Sequence, residues 1–212
     1  MVKKSRHVSE KPSSTQREAE ILEAYLKVAV DEGVENVTLQ KVASRAGVAY
    51  STVHYYFGNT DQGLIDKALG YVAKASEEFM NKKMAPAIAA TDKNALSTYI
   101  EAKFEWNNKF PTYASMLCYF LYQTTRDKAA RKLSSMLYQE TLKKIQTLIL
   151  QEIGKGHILP VMNVEVACTK IQTVLSGALL TDATADGIKD GSIKKLAVEM
   201  IDDVLRSHAK AK

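Results

Sequence analysis

Residues 37–59 read VTLQKVASRAGVAYSTVHYYFGN, and this stretch decides the fold. Thr38 precedes an apolar-periodic run over 39–46 and carries the hydroxyl of a helix N-cap. Gly47 ends that run, because glycine enters the left-handed conformation that closes a helix at little cost. A second short helix is predicted over 50–57, stopped by Gly58 and Asn59. Helices this short are marginal alone, so the two need tertiary partners. Ala43, three residues, Gly47, five residues and Val53 form the helix-turn-helix spacing. It places a small residue at the crossing, a glycine at the turn and an apolar residue on the second helix. Val42, Ala46, Val48, Val53 and Phe57 are expected to face the core.

Outward from this centre the periodicity stays helical. Upstream, Ile21, Leu22, Tyr25, Val28 and Ala29 fall on one face of a helix ending near Gly33. Downstream, Thr60 or Asp61 caps a longer helix running to about Lys83, with Pro86 and the polar TDKN at 91–94 as the next break. Further helices are predicted over 93–109, 111–124, 127–154, 163–184 and 190–207. They are punctuated by Pro111, by Gly154-Lys155-Gly156 with Pro160, and by Gly187 and Gly191. In the last helix Ile193, Leu196, Ala197, Met200, Ile201, Val204 and Leu205 make a broad apolar stripe. No alternating strand pattern and no repeat is present. The predicted fold is all-α: an N-terminal three-helix helix-turn-helix domain, then a helical bundle. The expected divisions are a basic arm over 1–13, the helix-turn-helix domain over 14–60, the bundle over 61–207 and a tail over 208–212.

Composition narrows the function class. In 212 residues, 46% are hydrophobic and 25% charged, which excludes a disordered or collagen-like chain. The polar, basic start MVKKSRHVSEKPSST does not resemble a signal peptide, and no window approaches a membrane span, so a cytoplasmic protein is expected. Cys118 and Cys168 lie far apart, and His7, His54, His157 and His208 are scattered, so neither a metal nor another cofactor is expected. GxSxG, HExxH, P-loop and dinucleotide fingerprints are absent, and an enzyme is not expected. The formal net charge is +5, with the basic residues segregated. Residues 1–17 hold Lys3, Lys4, Arg6, Lys11 and Arg17 against Glu10 alone, and residues 36–60 hold Lys41 and Arg45 with no acid.

The second helix of the pair therefore carries Tyr50, Ser51, Thr52, His54, Tyr55 and Tyr56 with no carboxylate among them. Such a helix can enter the major groove, where hydroxyl and imidazole groups bond base edges and phosphates. Residues 17–69, with ILEA at 21–24, EGVENVTL, VASRAGVAYSTVHYYF and the trailing FGNTDQGL, closely resemble the DNA-binding domain of the TetR family of transcriptional regulators. The resemblance implies a homodimer that binds a double-stranded DNA operator and answers to a small molecule. It implies a phosphate contact for the Thr38 hydroxyl and a base-edge or backbone contact for Gln40. Tyr50, Ser51 and Thr52 correspond to the base-reading group. His54 and Tyr56 stand where the family often carries Tyr and His, and Tyr55 is either partly buried or a backbone contact. Thr60 replaces a frequent Lys at the start of the fourth helix, which removes one phosphate contact. Lys41 and Arg45 either meet phosphates or are solvated, and the arm residues Lys3, Lys4 and Arg6 are candidates for added contact.

The bundle must then dimerise and hold an effector. Ile171, Leu175, Ala178 and Leu179 on the penultimate helix, with Leu196, Met200 and Val204 on the last, are the candidate dimer face. Tyr99, Phe104, Trp106, Phe110, Tyr113, Met116, Tyr119 and Phe120 concentrate the aromatic and Met side chains that can line an adaptable apolar pocket. A hydrophobic or aromatic effector is expected, since no buried charge pattern points to a sugar, nucleotide or metal. The expected function is a ligand-released repressor on a palindromic operator. The residues leave one alternative open, a helical adaptor whose helix-turn-helix no longer reads DNA.

Overall fold

The computed structural model describes residues 13–58, 61–161, 163–184 and 191–209, with the side chains of 61–63 left aside. Among these residues the fold is all-α, with an isolated bridge between Val161 and Ala209 in place of any strand. The helices are α1 (Ser14–Glu32), α2 (Leu39–Ala46), α3 (Tyr50–Phe57), α4 (Asp61–Ala89), α5 (Ala95–Lys109), α6 (Pro111–Thr124), α7 (Lys128–Gly154), α8 (Val164–Thr184) and α9 (Ser192–Ser207). A single 3-10 turn, Val34–Asn36, follows α1.

The chain forms two compact units, Met1–Tyr71 and Val72–Lys212. In the first, α1 buries Ile21, Leu22, Tyr25, Leu26 and Val28 and packs against α2, which in turn packs against α3. The first turns of α4 belong to it as well. Lys67 Nζ pairs with Glu18 at 2.9 Å, and the Tyr71 hydroxyl donates to Glu23 at 2.8 Å.

The second unit packs α5, α7, α8 and α9 around Tyr99, Phe104, Ile145, Ile149, Ile171 and Leu175. Pro86 does not break α4, contrary to the sequence expectation, and the helix runs on to Ala89. Met84 and Ala87, either side of the proline, are buried in the core. Two long side chains then accommodate the helix end, for Gln151 Nε2 donates to the Ile88 carbonyl and Lys155 Nζ to that of Ala87. Tertiary packing and capping outweigh the roughly 3 kcal/mol that an interior proline costs. Burial pushes the Cys168 thiol up to about 11 and raises that of Cys118, so both resist ionisation.

Candidate nucleic-acid interface

Each turn of the helix-turn-helix has a local cause. Thr38 caps α2, its Oγ1 accepting the Lys41 N–H at 3.3 Å. This bond occupies the hydroxyl as an acceptor and leaves its proton for an outside oxygen. At Gly47 the backbone is left-handed, with φ 65° and ψ 34°. The Gly47 and Val48 N–H groups close the helix on the Ser44 and Ala43 carbonyls at 3.2 and 3.0 Å. A Cβ at Gly47 would meet nothing within 4 Å, so the glycine is required for conformation and not for space. Gly47→Val should therefore lose about 1–2 kcal/mol and Gly47→Asn clearly less, since asparagine visits this region more readily. Urea unfolding of the two variants checks this, and equal losses would point to packing instead.

Val42 and Val53 are fully buried between the helices, Ala43 at the crossing is 3% exposed and Phe57 closes the core beneath. Ala46 and Val48 are only partly buried, which corrects the expectation that they are core. Ala46 instead lines a shallow groove between α1 and α2 with Ala19, Glu23 and Lys27. Opposite the buried residues of α3, Tyr50 and Ser51 are exposed and Thr52 and His54 half-buried, with the His54 ring 6.2 Å from that of Tyr50. Tyr55 is 81% exposed, which removes the partly buried reading. Tyr56 is anchored: its hydroxyl donates to Ser14 Oγ at 3.3 Å, and Lys67 Nζ donates to its carbonyl at 3.0 Å. Tyr55 stands edge-on to it, ring centres 5.2 Å apart. The anchored ring thus steadies the projecting one.

Gln40 and Thr38 are exposed on α2. Lys41 and Arg45 are tied to α1. Lys41 Nζ meets Glu32 at 2.6 Å and donates to the Asn36 carbonyl at 2.8 Å, while Arg45 meets Asp31 at 2.9 Å. Both pairs are exposed and cheap to open, yet they hold these cations against the acidic end of α1. Thr60, Lys3, Lys4 and Arg6 lie outside the described residues.

In the second unit the aromatic residues divide. Tyr99, Phe104 and Met116 are almost wholly buried. Trp106, Phe110 and Tyr113 pack on one another, ring centres 4.5 to 5.6 Å apart, joined by Phe79 at 5.4 Å from Trp106. Tyr119 hydrogen-bonds Gln123. Phe120 lines an apolar cleft of about 300 Å³ between α6, α7 and α8, with Leu117, Leu137, Tyr138, Leu179 and Leu180. Of the candidate dimer residues, Ile171 and Leu175 face the interior of this unit, and Ala178, Leu179 and Val204 are partly buried. Leu196 and Met200 point outward, 52% and 46% exposed. Sequence reading missed Phe79, and it missed two lysines, Lys103 and Lys144, beside the buried Tyr99 ring.

Comparison with known proteins matches this geometry. Residues 21–62 match the family profile of bacterial regulatory proteins, tetR family. The chain is 22% identical over 196 residues to the HTH-type transcriptional regulator BetI of Rhizobium meliloti (strain 1021), covering 92% of this chain and 90% of that protein. It is 23% identical over 192 residues to BetI of Burkholderia cenocepacia (strain HI2424), covering 90% and 95%. The fold matches a TetR transcription regulator from Haloarcula marismortui with a TM-score of 0.76 at 17% identity, over 92% and 100% of the two chains. It matches a transcriptional regulator from Saccharomonospora viridis in complex with choline with a TM-score of 0.75 at 17% identity, over 93% and 100%. FadR from Bacillus subtilis in complex with stearoyl-CoA gives 0.67 at 19% identity, over 88% and 97%. With its helix-turn-helix, its all-helical second unit and these relatives, the chain resembles the TetR family of transcriptional regulators over most of its length, and residues 21–62 carry that family's DNA-binding domain.

Proposed function

We propose that this regulator is a repressor that binds a palindromic operator as a homodimer and is released by a small, largely apolar effector. The observation that carries the reading is α3, whose outer face offers Tyr50, Ser51, Thr52 and Tyr55 with no carboxylate. One recognition helix reads too few base pairs for useful specificity, whereas two on a two-fold axis read half-sites about one helical turn apart. Leu196 and Met200, one turn apart on α9, and Leu180 on α8 are exposed apolar residues suited to self-association. The expected domain boundaries, 14–60 and 61–207, serve this division of labour. The apolar cleft between α6, α7 and α8 offers the effector a place, and two fold neighbours carry small molecules, choline in one and stearoyl-CoA in the other. An effector acts here by favouring a state whose two recognition helices are mis-spaced for the operator.

The test is selection of bound fragments from sheared genomic DNA at physiological salt. A palindromic motif should be enriched, and its binding should weaken steeply with salt as phosphate contacts release counterions. Met200→Glu should shift the protein to monomer in sedimentation and lose the motif. Absence of any enriched motif with a folded dimer would reject the repressor reading.

A further inference from the structure

Lys103 stands in the middle of the inward face of α5. Tyr99, Ile100, Phe104 and Trp106 around it are each 4% exposed or less. A lysine in such surroundings is normally paired, but among the described residues Lys103 has no carboxylate partner. The charged neighbour it does have carries the same sign. Lys103 Nζ lies 5.5 Å from the centre of the Tyr99 ring and Lys144 Nζ, from α7, lies 5.8 Å from it. Lys144 has no carboxylate partner among the described residues either. Lys83 behaves differently: it too lies over a ring, that of Phe79, but Glu105 neutralises it at 2.7 Å. Lys103 keeps some solvent exposure, yet burial and then the charge of Lys144 lower its ammonium to about 8. The fold therefore holds two cations together around one ring at an energetic cost and, among the described residues, supplies no anion.

The position of the pair says what kind of anion is missing. The Ala95 N–H, at the start of α5, bonds Glu152 near the end of α7, so the two helices run antiparallel. Lys103 and Lys144 lie equally far from that contact, on the same level of the bundle. One helical turn further, about 6 Å along the axis, Asn107 of α5 and Thr141 of α7 line the apolar cleft. Among the described residues, none that lines the cleft is charged. A positively charged pair and an apolar cleft thus follow one another along α5 and α7.

We propose that Lys103 and Lys144 form an anion subsite for the carboxylate or phosphate head of the effector, whose apolar body occupies the cleft between α6, α7 and α8. The effector is then an amphipathic organic anion, an assignment that rests on the effector reading above. Lysine ammonium groups bind such heads through charge-assisted hydrogen bonds, the stronger for being partly desolvated.

The experiment uses the full chain with decanoate, decanol and inorganic phosphate as probes, read by calorimetry, by thermal melting and by operator release. Decanoate should bind at least about tenfold more tightly than decanol, equivalent to about 1.4 kcal/mol. Lys103→Met and Lys144→Gln should each abolish that preference while leaving decanol binding unchanged. Lys103→Met should also leave the melting temperature equal or higher, because it removes an uncompensated charge, whereas loss of a merely structural lysine would lower it. Phosphate should protect the native protein weakly against heat, and in neither variant. Equal affinity for acid and alcohol, no binding of either, or a preference that survives Lys103→Met overturns the subsite. Protection by phosphate as strong as that by decanoate overturns the role of the apolar body. Lysine-dependent decanoate binding that leaves operator affinity unchanged keeps the subsite and removes the effector reading instead. Release by decanol as effective as by decanoate does the reverse.

Discussion

Glu152→Ala is expected to destabilise the second unit by about 3–5 kcal/mol, the usual cost of removing one partner of a buried ion pair. Glu152 has no exposed surface. Its carboxylate accepts from His157 Nδ1 at 2.6 Å, from the Ala95 N–H that opens α5, and meets Lys155 Nζ at 3.3 Å. The side chain therefore joins the end of α7, the loop after it and the start of α5. Removing it leaves the nearly buried Lys155 with backbone carbonyls but no counter-charge, and leaves a helix N-terminal N–H without an acceptor. Glu152→Gln keeps the shape and should lose less. Chemical unfolding of the three proteins checks the order, and a loss below about 1 kcal/mol for the alanine variant would show that the site relaxes around the gap.

The same carboxylate makes stability depend on acid. Burial raises its pKa, but the hydrogen bonds from His157, Ala95 and Lys155 and the charge of Lys155 outweigh that and hold it below its ordinary value of 4.5. A group with a depressed native pKa contributes stability that is full above its unfolded value and is lost as pH falls through its native value. The contribution of Glu152 should thus be constant at neutral pH and fade below about pH 4.5. Glu152→Gln should flatten the acid limb of the stability curve, and an unchanged limb would assign that limb to other carboxylates.

The other large effect concerns DNA. Tyr50→Ala and Thr52→Ala should each cost about 1–3 kcal/mol on the selected operator and little on random sequence, the signature of base readers. Tyr50 is 47% exposed and anchors no core contact, so its removal should not unfold the domain. Tyr56→Phe makes the contrast: it deletes the bond to Ser14 and should weaken all sequences alike by loosening the pose of α3. Competition binding against operator and random duplex separates the cases. Uniform weakening by Tyr50→Ala would make that residue a backbone contact and move base reading to other side chains.

The helix-turn-helix was legible because its determinants are local. The Thr38 cap, the left-handed Gly47 and the alternation of buried Val42, Val53 and Phe57 with exposed Tyr50 and Tyr55 act within one or two turns of chain. Glycine and cap chemistry act the same way in any surroundings, so spacing alone placed α2 and α3 to the residue. The boundaries of α5 to α9 followed from the same signals. What lay beyond was the outcome of long-range competition. Pro86 reads as a stop, but packing of Met84 and Ala87 and capping by Gln151 and Lys155 carry α4 past it. Ala197 and Ile201 share an apolar stripe with Leu196 and Met200, and only the packing of α9 on its neighbours turns the first pair inward and leaves the second exposed. Lys103 and Lys144, 41 positions apart in the chain, look like any solvated lysines. They become an uncompensated pair because two antiparallel helices bring both to Tyr99. Backbone chemistry is written residue by residue, whereas burial and the electrostatics that follow from it belong to the assembled bundle.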